Sequence, residues 1–386
     1  MRQFSGNPGS GVITVTHLIT GLDVGGAETM LTRLVTRSDP SKFRHRVISL
    51  QTPGEMATVI RTAGISTASL DMRSGVPDPR ALLRLRRLLL QDKPDVLQSW
   101  MYHANLLASL AGPTLGLPVI WNMRAVPDVD YGRQVAVIDA TLSRLARVPS
   151  AIIVNSHHGR EFMISRGYKG ARWKAIPNGF DTTLFKPDPE ARLQLRSEWG
   201  IGDDQVLIGL VARLDPVKDH STFLEAARLI SDEESAIRFV CVGGGGDDGY
   251  RDHLRMLAES KGIADRVLWA GPRTDVAAIN CAFDIATCCS LSESFPNVVG
   301  EAMACGVPCV VTDVGDAARV VGDTGRIVRP GSPSALASAW QDMISAGPVA
   351  RADLGEQARA RILSHFSLDR IVADYEDLYA TVVQDA

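Results

Sequence analysis

Short β-branched runs alternate with longer amphipathic stretches along the whole chain, and this repetition constrains the fold more than any other feature. In the first half the strand candidates are 12–18 (VITVTHL), 46–50 (RVISL), 95–99 (DVLQS), 118–122 (PVIWN) and 151–155 (AIIVN). Helical patterns fill the gaps at 27–37, 80–91, 103–111, 133–147 and 157–166. Repeated βα order predicts a parallel sheet covered by helices on both faces. A Pro- and Asp-rich connection follows, IPNGFDTTLFKPDPE, and the pattern then restarts with strands at 206–213, 237–243, 266–271, 284–289 and 308–312. At 386 residues the chain also exceeds the ~250–300 at which single cores stop growing. The expected architecture is α/β, with two doubly wound domains, 11–187 and 188–366, facing across a cleft. An amphipathic helix over 367–386 crosses back onto the first domain, and residues 1–10 form a flexible leader. Ligands in such sheets bind beyond the carboxyl ends of the strands, so the cleft is the expected site.

Composition narrows the class. Hydrophobic residues make up 45% and charged residues 22%, which is ordinary for a globular chain. No apolar run reaches the ~18–20 residues of a membrane-spanning helix, and MRQFSGNPGSG lacks the apolar core of a secretory signal. A cytoplasmic location is expected. The six cysteines, Cys241, Cys281, Cys288, Cys289, Cys305 and Cys309, show no CxxC spacing and read as small buried hydrophobes. The histidines form no HxxxH or HExxH array, so no metal site is expected; His157 and His158 read as a solvent-facing helix start.

Charge is split between the halves. Residues 1–186 carry 23 Lys and Arg against 13 Asp and Glu, while the remainder carries 18 against 31. The first half therefore suits an anionic neighbour. Without interleaved aromatics or a binding motif, nucleic acid is not expected. The most concentrated basic stretch is RALLRLRRLLLQDK, 80–93, where Leu82, Leu85 and Leu89 share one helical face and Arg80, Arg84 and Arg87 another. It reads either as a crossover helix with solvated arginines or as a peripheral contact with an anionic membrane.

Four motifs sit at strand ends. ESFPNVVGE, 293–301, places Glu293 just before a helix opened by Pro296 and Glu301 near the end of its second turn. Free N–H groups at a helix start attract phosphate, and a carboxylate accepts two hydroxyls from a sugar or ribose. The same stretch could also be a plain junction with solvated glutamates. ARLDPVKDH, 212–220, flanks an Asp-Pro turn with Arg213 and Lys218, able to point two cations at one diphosphate or to leave both solvated. GLDVGGAE, 21–28, offers Gly25 and Gly26 for close backbone approach, or for a tight turn. GGGG, 243–246, reads as a flexible turn. Neither GxGxxG nor GxxxxGK[ST] occurs.

Taken in order, GGAE, IPNGFD, ARLDPVKDH and ESFPNVVGEAMACGVPCVVTDVG resemble the retaining glycosyltransferases of family 4, from about residue 12 to 383. The resemblance implies the GT-B fold of two Rossmann-like domains, an acceptor-side domain first and a nucleotide-sugar domain second. It implies transfer of a sugar from a nucleotide-sugar donor, UDP-linked by preference, with retention of configuration and no cofactor or metal. Glu301 would hold the ribose and Glu293 the sugar side. Arg213 and Lys218 would neutralise the diphosphate, while the stretch from Phe295 through Pro296 to Asn297 and Val298 would add backbone N–H hydrogen bonds, from all but Pro296, and the positive helix end. Gly25 and Gly26 would close on the donor from the other domain, and Arg273 of GPRTD lies where the family holds the base. Asn178 of IPNGFD falls at the hinge.

Negative charge builds on the leaving phosphate, so fixed cations there favour the transition state over the ground state. The one DxD, Asp128-Val129-Asp130, is discounted as a metal motif. His103 is a catalytic and acceptor-side candidate. Where many family members carry His, this chain has Arg124, a second acceptor-side candidate. With no first-domain carboxylate standing out as a nucleophile, a front-face reaction is expected. The acceptor would be a glycan or lipid-linked molecule in cell-surface polysaccharide or lipopolysaccharide synthesis. A nucleotide-sugar epimerase of the same fold and a non-catalytic homologue are the alternatives.

Overall fold

A computed structural model of the chain describes residues 11–73, 76, 78–124, 132–170, 172–231, 236–246 and 248–386. The discounted Asp128-Val129-Asp130 and the leader 1–10 lie outside them. The chain divides into two compact units: one comprises the chain up to Gly179 together with Leu368–Ala386, the other Phe180–Ser367.

In the first unit β1 (Ile13–Ile19), α1 (Gly26–Arg37), β2 (Phe43–Ser49), α2 (Glu55–Thr62), β3 (Ser66–Ser69), α3 (Arg80–Asp92), β4 (Val96–Trp100), α4 (Met101–Ala111), β5 (Val119–Met123), α5 (Gly132–Leu145), β6 (Ala151–Val154), α6 (His157–Ser165) and β7 (Trp173–Ala175) follow in turn. Its seven strands are ordered β3-β2-β1-β4-β5-β6-β7, and every pairing is parallel. β4 and β5 are buried at every residue, as a sheet covered on both faces requires.

The second unit holds α7 (Pro189–Glu198), β8 (Val206–Val211), α8 (His220–Ser231), β9 (Ile237–Val242), α9 (Asp248–Ser260), β10 (Val267–Gly271), α10 (Val276–Ala282), β11 (Ile285–Cys288), α11 (Asn297–Ala304), β12 (Cys309–Thr312), α12 (Ala317–Val321), β13 (Gly325–Val328), α13 (Pro333–Ser345) and α14 (Gly347–His365). Its six strands run β10-β9-β8-β11-β12-β13, again all parallel. The final helix, α15 (Leu368–Gln384), packs Ile371, Val372, Tyr375, Leu378 and Tyr379 into the first unit's core. The two expected doubly wound domains are thus both present.

Three expectations change in detail. The second unit begins at Phe180, eight residues before the expected 188, because Phe180 bonds Phe366 O through its N–H (2.9 Å) and stacks its ring on Phe295. β3, β7 and β13 had no strand-like run in the sequence: STAS, WKA and GRIV are short strands at or next to sheet edges. On α3 the buried face is Ala81, Leu85 and Leu89, while Arg84, expected among solvated arginines, is half-buried. It donates to Leu70 O and to Asp78 Oδ2, both at 2.6 Å.

Other expectations stand. All six cysteines are buried and free of disulfides, and His157 and His158 are exposed at the start of α6. Among the described residues no helix is long and apolar enough to cross a membrane.

One buried polar cluster was not foreseen. His17 on β1 and His45 on β2 share a bond of 2.9 Å, and Trp100 Nε1 donates to His17 Nδ1 at 3.3 Å. His17 Nε2 then carries the proton given to His45 Nδ1. Burial lowers the pKa of both rings, that of His45 to about 4.

Candidate functional site

Strand order locates the crevice of the second unit. From the adjacent strands β8 and β11 the connections lead outward in opposite directions, β8 to β9 and β10, β11 to β12 and β13. That is a topological switch point, where an open parallel sheet leaves a crevice beyond its carboxyl ends. The ARLDPVKDH turn leaves β8 and the ESFPNVVGE loop leaves β11, so both motifs open onto this crevice.

Two aspartates build the first turn. Asp215 accepts from Val217 N (3.0 Å) to cap the short turn Pro216–Lys218, and Asp219, with φ of +50°, accepts from Thr222 N (3.1 Å) at the start of α8. The turn directs Lys218 across to the neighbouring strand's exit, where its Nζ donates to Glu293 Oε1 at 2.5 Å. Ser290 Oγ donates to the same oxygen at 2.8 Å. Backbone contacts fix the register of the two loops: Leu291 N donates to Val217 O at 2.8 Å, and Cys289 Sγ to Lys218 O at 3.3 Å. The Lys218 and Glu293 side chains keep 20% and 12% of their surface exposed, enough for a polar ligand to reach them.

The second loop is anchored from below. Phe295 is buried against Phe180 and Phe366, and a Cβ on Gly300 would fall 2.1 Å from the Phe180 ring, so α11 sits directly on that ring. Pro296 is not the first helical residue as expected; it caps the helix with extended backbone, and α11 starts at Asn297. Asn297 and Val298 are half-buried in the first turn and Glu301 in the second. From the far side Gly315, with φ of +55°, lies so close that a Cβ would be 2.3 Å from Glu293 O, and Asp316 N donates to Ser294 O at 3.1 Å. Ser290 and Gly315 were not singled out from the sequence. A hydroxyl three residues before the glutamate and the glycine of TDVG were the available signals.

The remaining cations take other partners. Arg213 is largely exposed, 3.4 Å from Asp215 Oδ2, whereas Lys218 is on Glu293. In this state the two cations of the turn thus meet different carboxylates. Arg273 forks onto Asp275 at 2.9 and 2.7 Å, donates to Glu198 at 2.7 Å and stacks over Trp199, which ties the GPRTD segment to the end of α7. GGGG is more than a flexible turn. A Cβ on Gly243 would lie 1.9 Å from Ala212 O and one on Gly246 2.4 Å from Leu214 O, so the glycines let this turn press against the Arg213 loop.

In the first unit the order β2-β1-β4-β5 sets a second switch point between β1 and β4. Gly25 caps α1 in extended conformation, and a Cβ there would meet Glu28 Oε2 at 2.3 Å; Gly26 faces open space. Burial raises the Glu28 carboxyl above its ordinary range. His103 is the third residue of α4, exposed, and burial of part of its ring lowers its pKa. Arg124, expected as an acceptor-side contact, is buried after β5. It donates to Asn122 Oδ1 (3.3 Å), to Asn178 Oδ1 and to the Tyr375 hydroxyl (3.2 Å), with its guanidinium 5.1 Å from the Trp100 ring centre. Asn178, expected as a hinge turn, is thereby joined to α15. Among the described residues no three His, Cys, Asp or Glu side chains gather as a metal cluster.

Comparison with known proteins gives these loops a context. The family model described as Glycosyltransferase Family 4 matches residues 24–184, and that described as Glycosyl transferases group 1 matches 205–346. An N-acetyl-alpha-D-glucosaminyl L-malate synthase of Bacillus anthracis is 30% identical over 53% of this chain and 52% of its own length. A GDP-mannose-dependent alpha-(1-6)-phosphatidylinositol monomannoside mannosyltransferase of Mycolicibacterium smegmatis is 28% identical over 76% of this chain and 77% of its own. The match thus spans about half of the first relative and about three quarters of the second. The crystal structure of Anabaena HepE in complex with UDP superposes with a TM-score of 0.83, covering 96% of this chain and all of that one at 21% identity. It shares the two Rossmann-like domains of the GT-B fold.

Proposed function

We propose, because the chain belongs to the family 4 glycosyltransferases of glycosyl transferases group 1, that it moves a sugar with retention of configuration from a nucleotide-sugar donor seated in the β8/β11 crevice to a glycan or lipid-linked acceptor. The observation that carries this reading is the Lys218–Glu293 pair, a cation and a carboxylate held together at the topological switch point beside the start of α11. In it Glu301 accepts the ribose hydroxyls, and the N–H groups at the start of α11 face the diphosphate. Lys218, with Arg213, offsets the charge that grows on the leaving phosphate, and Glu293 takes the sugar side. The leaving phosphate receives the acceptor's proton, so the reaction runs on one face of the sugar without a covalent adduct. In this reading no divalent metal is needed, because Lys218 and Arg213 supply the positive charge that one would provide.

UDP is the first choice of carrier. The structural neighbour was solved with UDP, while one relative is named for GDP-mannose. The acceptor belongs to cell-surface polysaccharide or lipopolysaccharide synthesis in this reading, supported by the basic first half of the chain.

A thermal-shift screen of UDP-, GDP- and ADP-sugars, with hits retested in EDTA for nucleoside diphosphate release in the presence of lipid-linked acceptors, tests the reading. Release only when acceptor is present supports transfer. A changed sugar nucleotide from donor alone would assign an epimerase, and no hit would assign a non-catalytic homologue. Strict need for Mg²⁺ or Mn²⁺ would remove the metal-free part.

A further inference from the structure

The outward face of α3 carries arginines and leucines together. Ala81, Leu85 and Leu89 satisfy the helix's packing on the sheet. Leu83 and Leu90 then point away from the core, 67% and 58% exposed. Arg80 and Arg87 are exposed as well. At 100° per residue, positions 80, 83, 87 and 90 fall within one arc of about 80°, so arginine and leucine alternate along a single solvent-facing stripe. Arg73 and Val76, ahead of the helix, are exposed as well.

The carboxylates next to the stripe are engaged elsewhere. Asp78 pairs with Arg84 and Asp92 with Arg46. Neither forms an ion pair with Arg80 or Arg87, although Asp78 also feels the Arg80 charge. The face is positive and apolar together.

We propose that this stripe docks the protein onto an anionic bilayer, with Leu83 and Leu90 entering the headgroup boundary between Arg80 and Arg87, which meet lipid phosphates. A basic helix face with apolar side chains lies in the interface plane, held by buried area plus attraction to anionic lipid. The leucines decide against a water-soluble polyanion, which would use the arginines and leave both apolar side chains in water. The proposal concerns a surface of the first unit and does not depend on what sugar is transferred.

Vesicle co-sedimentation of the full chain tests it, comparing neutral phosphatidylcholine vesicles with vesicles containing phosphatidylglycerol, at low and high salt. The wild type should partition at least about 10-fold more strongly onto the anionic vesicles, less so as salt rises. Arg80→Gln with Arg87→Gln should remove most of the anionic preference. Leu83→Gln with Leu90→Gln should also lower binding about 10-fold or more, while Leu193→Gln, an exposed leucine on α7, should change nothing. All four side chains are exposed, so circular dichroism melts should match the wild type and certify the variants as folded. Full binding by the leucine variant, with heparin competing equally well against both proteins, would assign a polyanion site and overturn the proposal. So would absence of wild-type binding to anionic vesicles at low salt.

Discussion

Lys218 Nζ lies 2.5 Å from Glu293 Oε1, and this bond joins the exits of β8 and β11 across the switch point of the second sheet. With Ser290 on the same oxygen, the carboxylate is held in one orientation before any ligand arrives. The pair is mostly shielded from solvent, so removal of either member leaves the other poorly compensated. Lys218→Ala and Glu293→Ala should each destabilise the protein by about 1–3 kcal/mol. The double variant should lose less than the sum. Chemical denaturation of the four proteins measures the coupling, and strict additivity would show that the bond contributes nothing. Turnover should fall about 10²-fold in Lys218→Ala, the size of effect seen when a donor to developing charge is lost.

The glycine turn after β9 gives a sharper structural contrast. Gly243 has φ of +148° and no room for a Cβ against Ala212 O, while Gly245 has φ of +82° with nothing within 4 Å. Gly243→Ala should therefore lower stability well beyond Gly245→Ala, whose cost is about 1–2 kcal/mol of backbone strain. Because Gly243 presses on the Arg213 loop, its variant should also weaken donor binding. Equal melting temperatures for the two variants would contradict the close approach.

Arg124 is expected to act through the fold. Its guanidinium serves Asn122, Asn178 and Tyr375 in a buried setting, so Arg124→Ala removes these hydrogen bonds at a cost of about 1–3 kcal/mol, the Tyr375 hydroxyl keeping the one it accepts from Asn122 Nδ2 at 2.9 Å. Arg124→Lys should not rescue it, because a point charge cannot reproduce the planar fork. Hydrogen exchange in α15 should rise in both variants. Unchanged protection of α15 would separate Arg124 from that helix.

Buried histidines make the protein acid-sensitive. His45 and His220 have pKa values lowered by burial to about 4, against 6.5 for the ordinary side chain. As pH falls below 6.5 the unfolded chain takes up protons that the folded one refuses, so stability is full above that pH and declines down to about 4. Each histidine contributes on the order of 3 kcal/mol to the decline. Melting temperatures between pH 7.5 and 4.5 should drop steeply, and His220→Leu, which removes a ring with both nitrogens unpartnered, should flatten the slope. A profile identical to the wild type would exclude His220.

The order of strands and helices was legible because parallel sheets buried on both faces write themselves as continuous apolar runs separated by amphipathic ones. β3, β7 and β13 escaped, since STAS, WKA and GRIV are three or four residues long, too short to show a period of their own. For the site, strand-end position singled out Lys218, Glu293 and Glu301. Partner choice did not follow from that position. Whether Arg213 or Lys218 meets Glu293 depends on how Asp215 and Asp219 bend the turn, and Arg84 and Arg124 looked like ligand-facing or solvated cations until their carbonyl, amide and hydroxyl partners were seen. A one-dimensional pattern reports which side of an element a residue occupies and says nothing of the distant groups packed there.

The most direct measurement is calorimetric binding of UDP and GDP, in EDTA, to the wild type and to Glu301→Ala. The account predicts that one of the two nucleotides binds the wild type without metal and that the variant loses about 1.5–3 kcal/mol of that affinity, the value of a hydrogen bond to a charged group. Equal affinity in the two proteins, or no binding of either nucleotide to the wild type, would contradict a nucleotide-sugar site at the β8/β11 crevice.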